Sequence, residues 1–305
     1  KQTTAEAEIE KEKLNVDMYA LNSRVNDLYF GILLLDEQLK QNALLQDELE
    51  RNYRQITAYV ENGIANQADL DAVKVEQLNT KQKRVELVSS RMAYLKMLSL
   101  LVGEKLSQET VLEKPVPQDD ISAVGEIRRP ELSLFNAQGV GLQVQEKALN
   151  VRHLPQFGLF VQGAYGNPGL NMLKNEFSPY YIAGVRLSWN FGSLYTLKND
   201  RKVIENKRRQ LDNNRDVFLF NTRLEMTQQD QAIQSLEKQM QDDDEIIRLR
   251  TNIRKSAEAK VANGTLTVTE MLRELTNESL ARQSKALHEI QRLMGIYQLK
   301  YTTND

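Results

Sequence analysis

Read in steps of two, residues 180–191 place Tyr181, Ala183, Val185, Leu187, Trp189 and Phe191 on one face, and Ile182, Gly184, Arg186, Ser188 and Asn190 on the other. Alternation of this kind marks a β-strand lying between two different environments. Residues 156–166 alternate in the same way, with Phe157, Leu159, Val161, Gly163 and Tyr165 opposite Gln156, Phe160, Gln162 and Ala164. The intervening stretch holds Pro168, Gly169 and the charges Lys174 and Glu176. The pattern therefore predicts a hairpin: strand 156–166, loop 167–179, strand 180–191.

The rest of the chain follows a helical period. Between Ser193 and Asn263 there is neither Gly nor Pro, which predicts one helix about 100 Å long at 1.5 Å per residue. Residues 3–61 read similarly, and two further helices are expected over 66–102 and 267–301. The first of these carries Leu70, Val73, Val85, Val88, Met92, Leu95 and Val102 in three/four steps, and the second carries Leu272, Leu275, Ala286, Leu293 and Ile296. Such stripes predict coiled-coil packing of each helix against the long helix before it. Residues 107–130 hold three of the six prolines and read as a connector. Pro130 suits the first turn of a new helix, with Glu131 favoured beside it. The expected divisions are a helical hairpin over 1–106, the connector 107–130, a helix 131–154, the strand hairpin 155–192, and a second helical hairpin over 193–305.

The two helical hairpins resemble each other. The segment 22-NSRVNDLYF-30 is similar to 221-NTRLEMTQQ-229, and 62-NGIANQADL-70 to 263-NGTLTVTEM-271. In both turns Asn-Gly closes a long helix, Gly suiting a left-handed C-cap, and six residues later comes an acid, Asp69 or Glu270. This internal two-fold repeat predicts a strand hairpin before the first long helix too, so a longer natural chain is expected, with a further helix and strand pair upstream.

Composition narrows the function. With 40 basic and 42 acidic residues the chain is nearly neutral, which argues against a nucleic-acid binder. There is no cysteine, and the two histidines, His153 and His288, have no ligand-type neighbours in sequence and read as structural. No nucleophile motif, phosphate loop or metal-spaced cluster is present, so no catalysis and no cofactor are expected. The apolar run 28-LYFGILLL-35 is too short to cross a membrane as a helix. The acidic run 242-DDDE-245 reads as a solvated face rather than a cation site.

The chain resembles the TolC-like outer-membrane efflux proteins over nearly its whole length. The resemblance is carried by 129-RPEL-132 after the connector, 154-LPQFGLFVQGAYG-166, 187-LSWNFG-192, and the two turns 63-GIANQADL-70 and 264-GTLTVTEM-271. It implies a mainly α fold with membrane β: long antiparallel coiled-coil hairpins, and strands from three protomers closing one transmembrane β-barrel. It further implies a homotrimer in the bacterial outer membrane, most of it periplasmic. Such a trimer would be the passive exit duct of a tripartite efflux pump or type I secretion system, working with a periplasmic adaptor and an inner-membrane pump.

Under that resemblance Phe157, Leu159, Val161, Tyr165, Tyr181, Val185, Leu187, Trp189 and Phe191 would face outer-membrane lipid, and Gln162, Arg186, Ser188 and Asn190 the lumen. Strands of ten or eleven residues are long enough to cross a bilayer when tilted, and the one charge within them, Arg186, lies on the mixed face. Asn62, Gly63, Asp69, Leu70, Asn263, Gly264 and Met271 match the family's adaptor-contacting tips. Glu270 matches an acid that narrows the periplasmic aperture; the other reading is an acid favoured by the helix dipole in a first turn. The sequence departs from the family at Arg273, where a second acid is expected, and at Val261, where an aromatic is. Arg273 at i,i+3 would pair with Glu270. Two other functions compete. One is a coiled-coil scaffold or tether whose hairpin is a soluble docking head; the hairpin's alternation alone would equally suit a soluble hairpin packing one face on a helical core. The other, a periplasmic adaptor, lacks support, since no lipoyl-like run of short strands is present.

Overall fold

The computed structural model describes residues 1–116, 126–152, 154–173, 175–189 and 191–304. The middle of the connector, the histidine His153, the loop charge Lys174 and the expected lumen residue Asn190 lie outside the described residues. Among those described, the elements run α1 (Gln2–Glu61), α2 (Gln67–Val102), α3 (Pro130–Arg152), β1 (Gln156–Gly166), β2 (Ser178–Ser188), α4 (Ser193–Ala262) and α5 (Val268–Thr303). The helices and β1 lie within two residues of expectation. The second strand does not: it was expected over 180–191 and runs over 178–188. A strand extends only as far as its partner. Here Gln156 pairs with Ser188 and Gly166 with Ser178, while Pro155, with no N–H to donate, bounds β1. Trp189 and Phe191 thus lie just past the strand, their rings 4.4 Å apart.

The chain folds as two units, residues 1–16 with 130–218, and residues 17–129 with 219–305. In the first, Arg208 of α4 pairs with Glu146 of α3 at 2.7 Å. Arg201 donates to Asn150 Oδ1 at 2.8 Å, and Phe135 lies beside Phe218. The antiparallel β1–β2 hairpin leaves this helical pair.

In the second unit the apolar run on α1 is core. Leu28 and Ile32 pack with Leu95 and Leu98 of α2, and Phe30 and Leu33 with Ile290 and Leu293 of α5. On α2 the buried seam steps through Val73, Thr80, Leu87, Leu95 and Leu98. Val85, expected in that seam, is 62% exposed. It precedes Leu87 by two residues, about 200° of helix rotation, and so faces away. Val102 is also exposed, because the helix ends beside it at Gly103. On α5 Leu272, Leu275, Leu293 and Ile296 are buried as expected and Ala286 is half-buried.

One correction concerns charge. The run 242–245 is not wholly a solvated face: Asp243 is buried, its Oδ2 2.9 Å from His288 Nδ1, and Asp244 pairs with Lys285. The antiparallel return of α5 brings these partners more than forty residues along the chain. His288 is structural, as expected, but through this contact. The described ends of the connector are also held by charge. Arg91, 8% exposed, bonds Asp36 and the carbonyls of Gln108 and Thr110. The Arg129 guanidinium lies over the stacked rings of Tyr19 and Tyr301.

Both helical turns need glycine. Gly63 has φ +71° and Gly264 φ +67°, and nothing lies within 4 Å of an added Cβ at either, so only the backbone is at issue. Gly264→Ala is expected to cost about 1–2 kcal/mol and Gly264→Asn less, read as loss of stability in urea melts followed by helical circular dichroism. Equal stability of all three proteins would refute the left-handed cap.

Candidate functional site

Two places carry the features that the sequence marks. In the hairpin, register sorts the side chains by chemistry. Phe157 faces Leu187, Leu159 faces Val185, Val161 faces Ala183, Gly163 faces Tyr181 and Tyr165 faces Pro179. Cross-strand neighbours share a face, so these pairs form one continuous apolar surface. It is uncovered: Leu159 is 87% exposed, Val161 79%, Tyr181 80% and Val185 67%. A soluble hairpin packing one face on a helical core would bury this surface, which is exposed here.

The opposite face pairs Gln156 with Ser188, Gly158 with Arg186, Phe160 with Gly184 and Gln162 with Ile182. Ile182 and Phe160 are its apolar members. The Phe160 ring fills the space over Gly184, where a Cβ would meet it at 2.9 Å, an aromatic covering a strand glycine. The Arg186 guanidinium lies 5.5 Å from the same ring, within cation–π range. Aromatics flank both ends: Tyr165 stacks on Phe177 at the loop, and Trp189 and Phe191 lie at the base. The sheet has two strands among the described residues, so each has an unpaired edge needing a further strand or a cover. No helix among the described residues is long and apolar enough to cross a membrane.

The helical turns are built alike. Gly63 N–H donates to Val60 O and Ile64 N–H to Tyr59 O; Gly264 and Thr265 do the same to Val261 and Lys260. The Asn62 and Asn263 side chains donate to Ala58 O and Ala259 O. Each following helix opens with a capping box. Asn66 Oδ1 accepts from Asp69 N–H at 3.0 Å while Asp69 accepts from Asn66 N–H. Thr267 Oγ1 accepts from Glu270 N–H at 3.2 Å while Glu270 accepts from Thr267 N–H at 3.1 Å. The spacing of Gly to acid is therefore the length of a C-cap followed by a capping box.

The Glu270 carboxyl is held below the usual carboxylate range, first by the Thr267 hydroxyl and then by its N–H, with a smaller contribution from Arg273. It is exposed and ionised at neutral pH. Arg273 does not form the expected pair with Glu270; its Nε lies 3.5 Å from Glu274 Oε1, because the cap turns the Glu270 oxygens back toward Thr267. Of the expected tip residues, Met271 falls in the core, 3% exposed, and Leu70 is half-buried against the same cluster. Each follows its box acid and, with Ala65 or Leu266 just before the cap, staples the chain across the helix start. Val261 is buried in this cluster too. Leu49 and Ile56 of α1 and Val73 of α2 join it, so it ties α1, α2, α4 and α5 together.

Sequence reading missed an ionic centre further along the same helices. Glu278, 2% exposed, accepts from Arg254 Nε at 2.5 Å, Thr251 Oγ1 at 2.8 Å and Arg282 Nε at 3.0 Å. Arg254 also pairs with Glu258. Burial, the largest influence, raises the Glu278 carboxyl, but the donors from Arg282, Arg254 and Thr251 together outweigh it and hold it low. The signal was present. Arg254/Glu258 and Glu278/Arg282 are opposite-sign pairs at i,i+4 on helices that meet when folded about Gly264.

No protein-family profile matches the sequence, and no curated protein matches it. Solved structures do. The CmeC outer membrane channel of Campylobacter jejuni is 12% identical over 99% of this chain and 66% of its own, with a TM-score of 0.77. The outer membrane protein VceC of Vibrio cholerae is 13% identical over 99% of this chain and 73% of its own, with a TM-score of 0.77. The open-state MtrE outer membrane channel of Neisseria gonorrhoeae is 11% identical over 99% of this chain and 71% of its own, with a TM-score of 0.72. The chain thus has the fold of TolC-like outer-membrane channels and spans 66% of the length of CmeC.

Proposed function

We propose that this chain is part of an outer-membrane channel-tunnel, the exit duct of a tripartite efflux pump or type I secretion system. Three protomers close one β-barrel, and their helices form the periplasmic tunnel. The observation that carries the reading is the hairpin: a continuous apolar face left uncovered, an opposite face with the one strand charge, and open edges. In lipid such edges must be paired, so closure requires further strands. The shared fold with outer-membrane channels supports the same reading. The duct is passive. An inner-membrane pump supplies the energy, and a periplasmic adaptor docks at the tips around Gly63 and Gly264, where Asn62, Asp69, Asn263 and Glu270 surround the turns. Three copies of Glu270 form a carboxylate ring that favours cations.

The test is single-channel recording in planar bilayers of the natural full-length protein from detergent. Long-lived steps of uniform size are expected. Glu270→Gln keeps the capping box, because a Gln carbonyl still accepts from Thr267, and is expected to lower cation preference without loss of stability. Uniform steps with unchanged selectivity would move the constriction away from Glu270. No steps, from a protein monodisperse without detergent, would sink the duct.

A further inference from the structure

Charge is unevenly placed at the base of the hairpin. Residues 193–209, the start of α4, hold Lys198, Arg201, Lys202, Lys207, Arg208 and Arg209 against Asp200 and Glu205, in a chain whose formal net charge is −2. The end of α3 adds Arg152. All of these bases but the half-buried Arg208 are exposed, and Arg152, Lys198, Arg201 and Lys202 lie nearest the hairpin in sequence. The apolar side chains beside them in sequence are exposed as well: Val151 61%, Leu154 58%, Leu194 46% and Tyr195 88%. Lys198 and Lys202 lie about 8 and 14 Å along α4 from its start at 1.5 Å per residue. A base on a long stem covers a further few ångströms while its stem rests on apolar surface.

We propose that this base is a collar that binds anionic phospholipid headgroups. This rests on the membrane reading of the hairpin. Trp189 and Phe191 mark where the apolar face ends, and α4 begins two residues after Phe191. Leu154, Leu194 and Tyr195 seat in the boundary between acyl chains and headgroups. Arg152, Lys198, Arg201 and Lys202 stand over the headgroups within about one to two Debye lengths. Basic residues so placed draw anionic lipid. Arg201 is already oriented by its bond to Asn150 Oδ1, which fixes its guanidinium between α3 and α4. The partner is therefore the anionic fraction of the surrounding phospholipid, not lipid in general.

Trp189, the one tryptophan in this sequence, is the reporter at this level, with any tryptophan in the rest of the natural chain replaced by phenylalanine. The full-length protein is reconstituted in vesicles of phosphatidylglycerol and phosphatidylcholine, with bromine on the acyl chains of one lipid or the other. At equal mole fraction, brominated phosphatidylglycerol is expected to quench Trp189 more than brominated phosphatidylcholine. In Lys198→Gln/Lys202→Gln that preference falls, by roughly fivefold in relative association for each base lost, and salt lowers it in the unaltered protein. Lys238→Gln/Lys255→Gln, an equal charge change far along α4, leaves it intact. Equal quenching by the two lipids would overturn the collar while leaving the membrane hairpin standing. Quenching by neither would overturn the membrane reading, and the collar with it.

Discussion

Val161→Arg is expected to abolish assembly in the outer membrane, whereas Gln162→Arg, one residue on, is expected to be tolerated. Val161 pairs with Ala183 at the centre of the eleven-residue register, and its side chain lies on the apolar face at 79% exposure. If that face meets lipid, an arginine there sits near the bilayer midplane and costs about 2–4 kcal/mol in each protomer. In a trimer the cost recurs three times, enough to remove most folded assembly from a marginal barrel. Gln162 points the other way and pairs with Ile182, so an added charge there joins Arg186 in water. The measurement is the folded fraction recovered from membranes, read by resistance of the assembled protein to unfolding in detergent gels. Equal tolerance of the two arginines would show that the apolar face does not meet lipid and would return the hairpin to the docking-head reading.

The second large effect is expected far from the membrane. Glu278→Ala removes the acceptor shared by Arg254, Arg282 and Thr251 and leaves the largely buried Arg254 guanidinium facing a gap, while the half-exposed Arg282 turns to water. Breaking such a centre by deleting one partner costs about 3–5 kcal/mol. Arg254 retains Glu258, so about 3 kcal/mol is expected here in urea melts. The pH dependence has a definite sign. The folded carboxyl is held below its ordinary value, so its stabilisation is complete above the unfolded value near 4.3 and is lost as pH falls through the folded one. Stability of the unaltered protein should therefore drop through the acid range more steeply than that of Glu278→Ala. Parallel pH curves, or a loss below about 1 kcal/mol, would mean that the cluster is weakly coupled to folding.

The caps show how much was legible. Asn62-Gly63 and Asn263-Gly264 could be read as helix ends because only glycine adopts positive φ without strain, and the acid six residues on marked a helix start. Whether Glu270 narrows an aperture or is simply an acid favoured by the helix dipole in a first turn was open from sequence; the bonds between Thr267 and Glu270 add a capping box that the sequence reading did not name, and the aperture belongs to the proposed function. Leu70 and Met271 were read outward as tip residues. The folded turn carries them inward, since the position after a capping-box acid faces the neighbouring helix.

By itself, then, the sequence determined the elements. Period-two alternation defined β1 and most of β2, the absence of Gly and Pro over 193–263 defined α4, and the asparagine–glycine pairs placed the turns. All of these are local signals, written within a few residues of where they act. Tertiary structure decided what depends on residues far apart in the chain. It ended β2 at Ser188 because β1 ran out of partners, turned Val85 outward because the seam passes through Leu87, brought His288 to Asp243, and gathered Arg254 and Arg282 around the buried Glu278 carboxylate. Helical and strand periods say which face is apolar but not what covers it, and on α5 the covering came from other helices, while on the hairpin it came from nothing in the chain described.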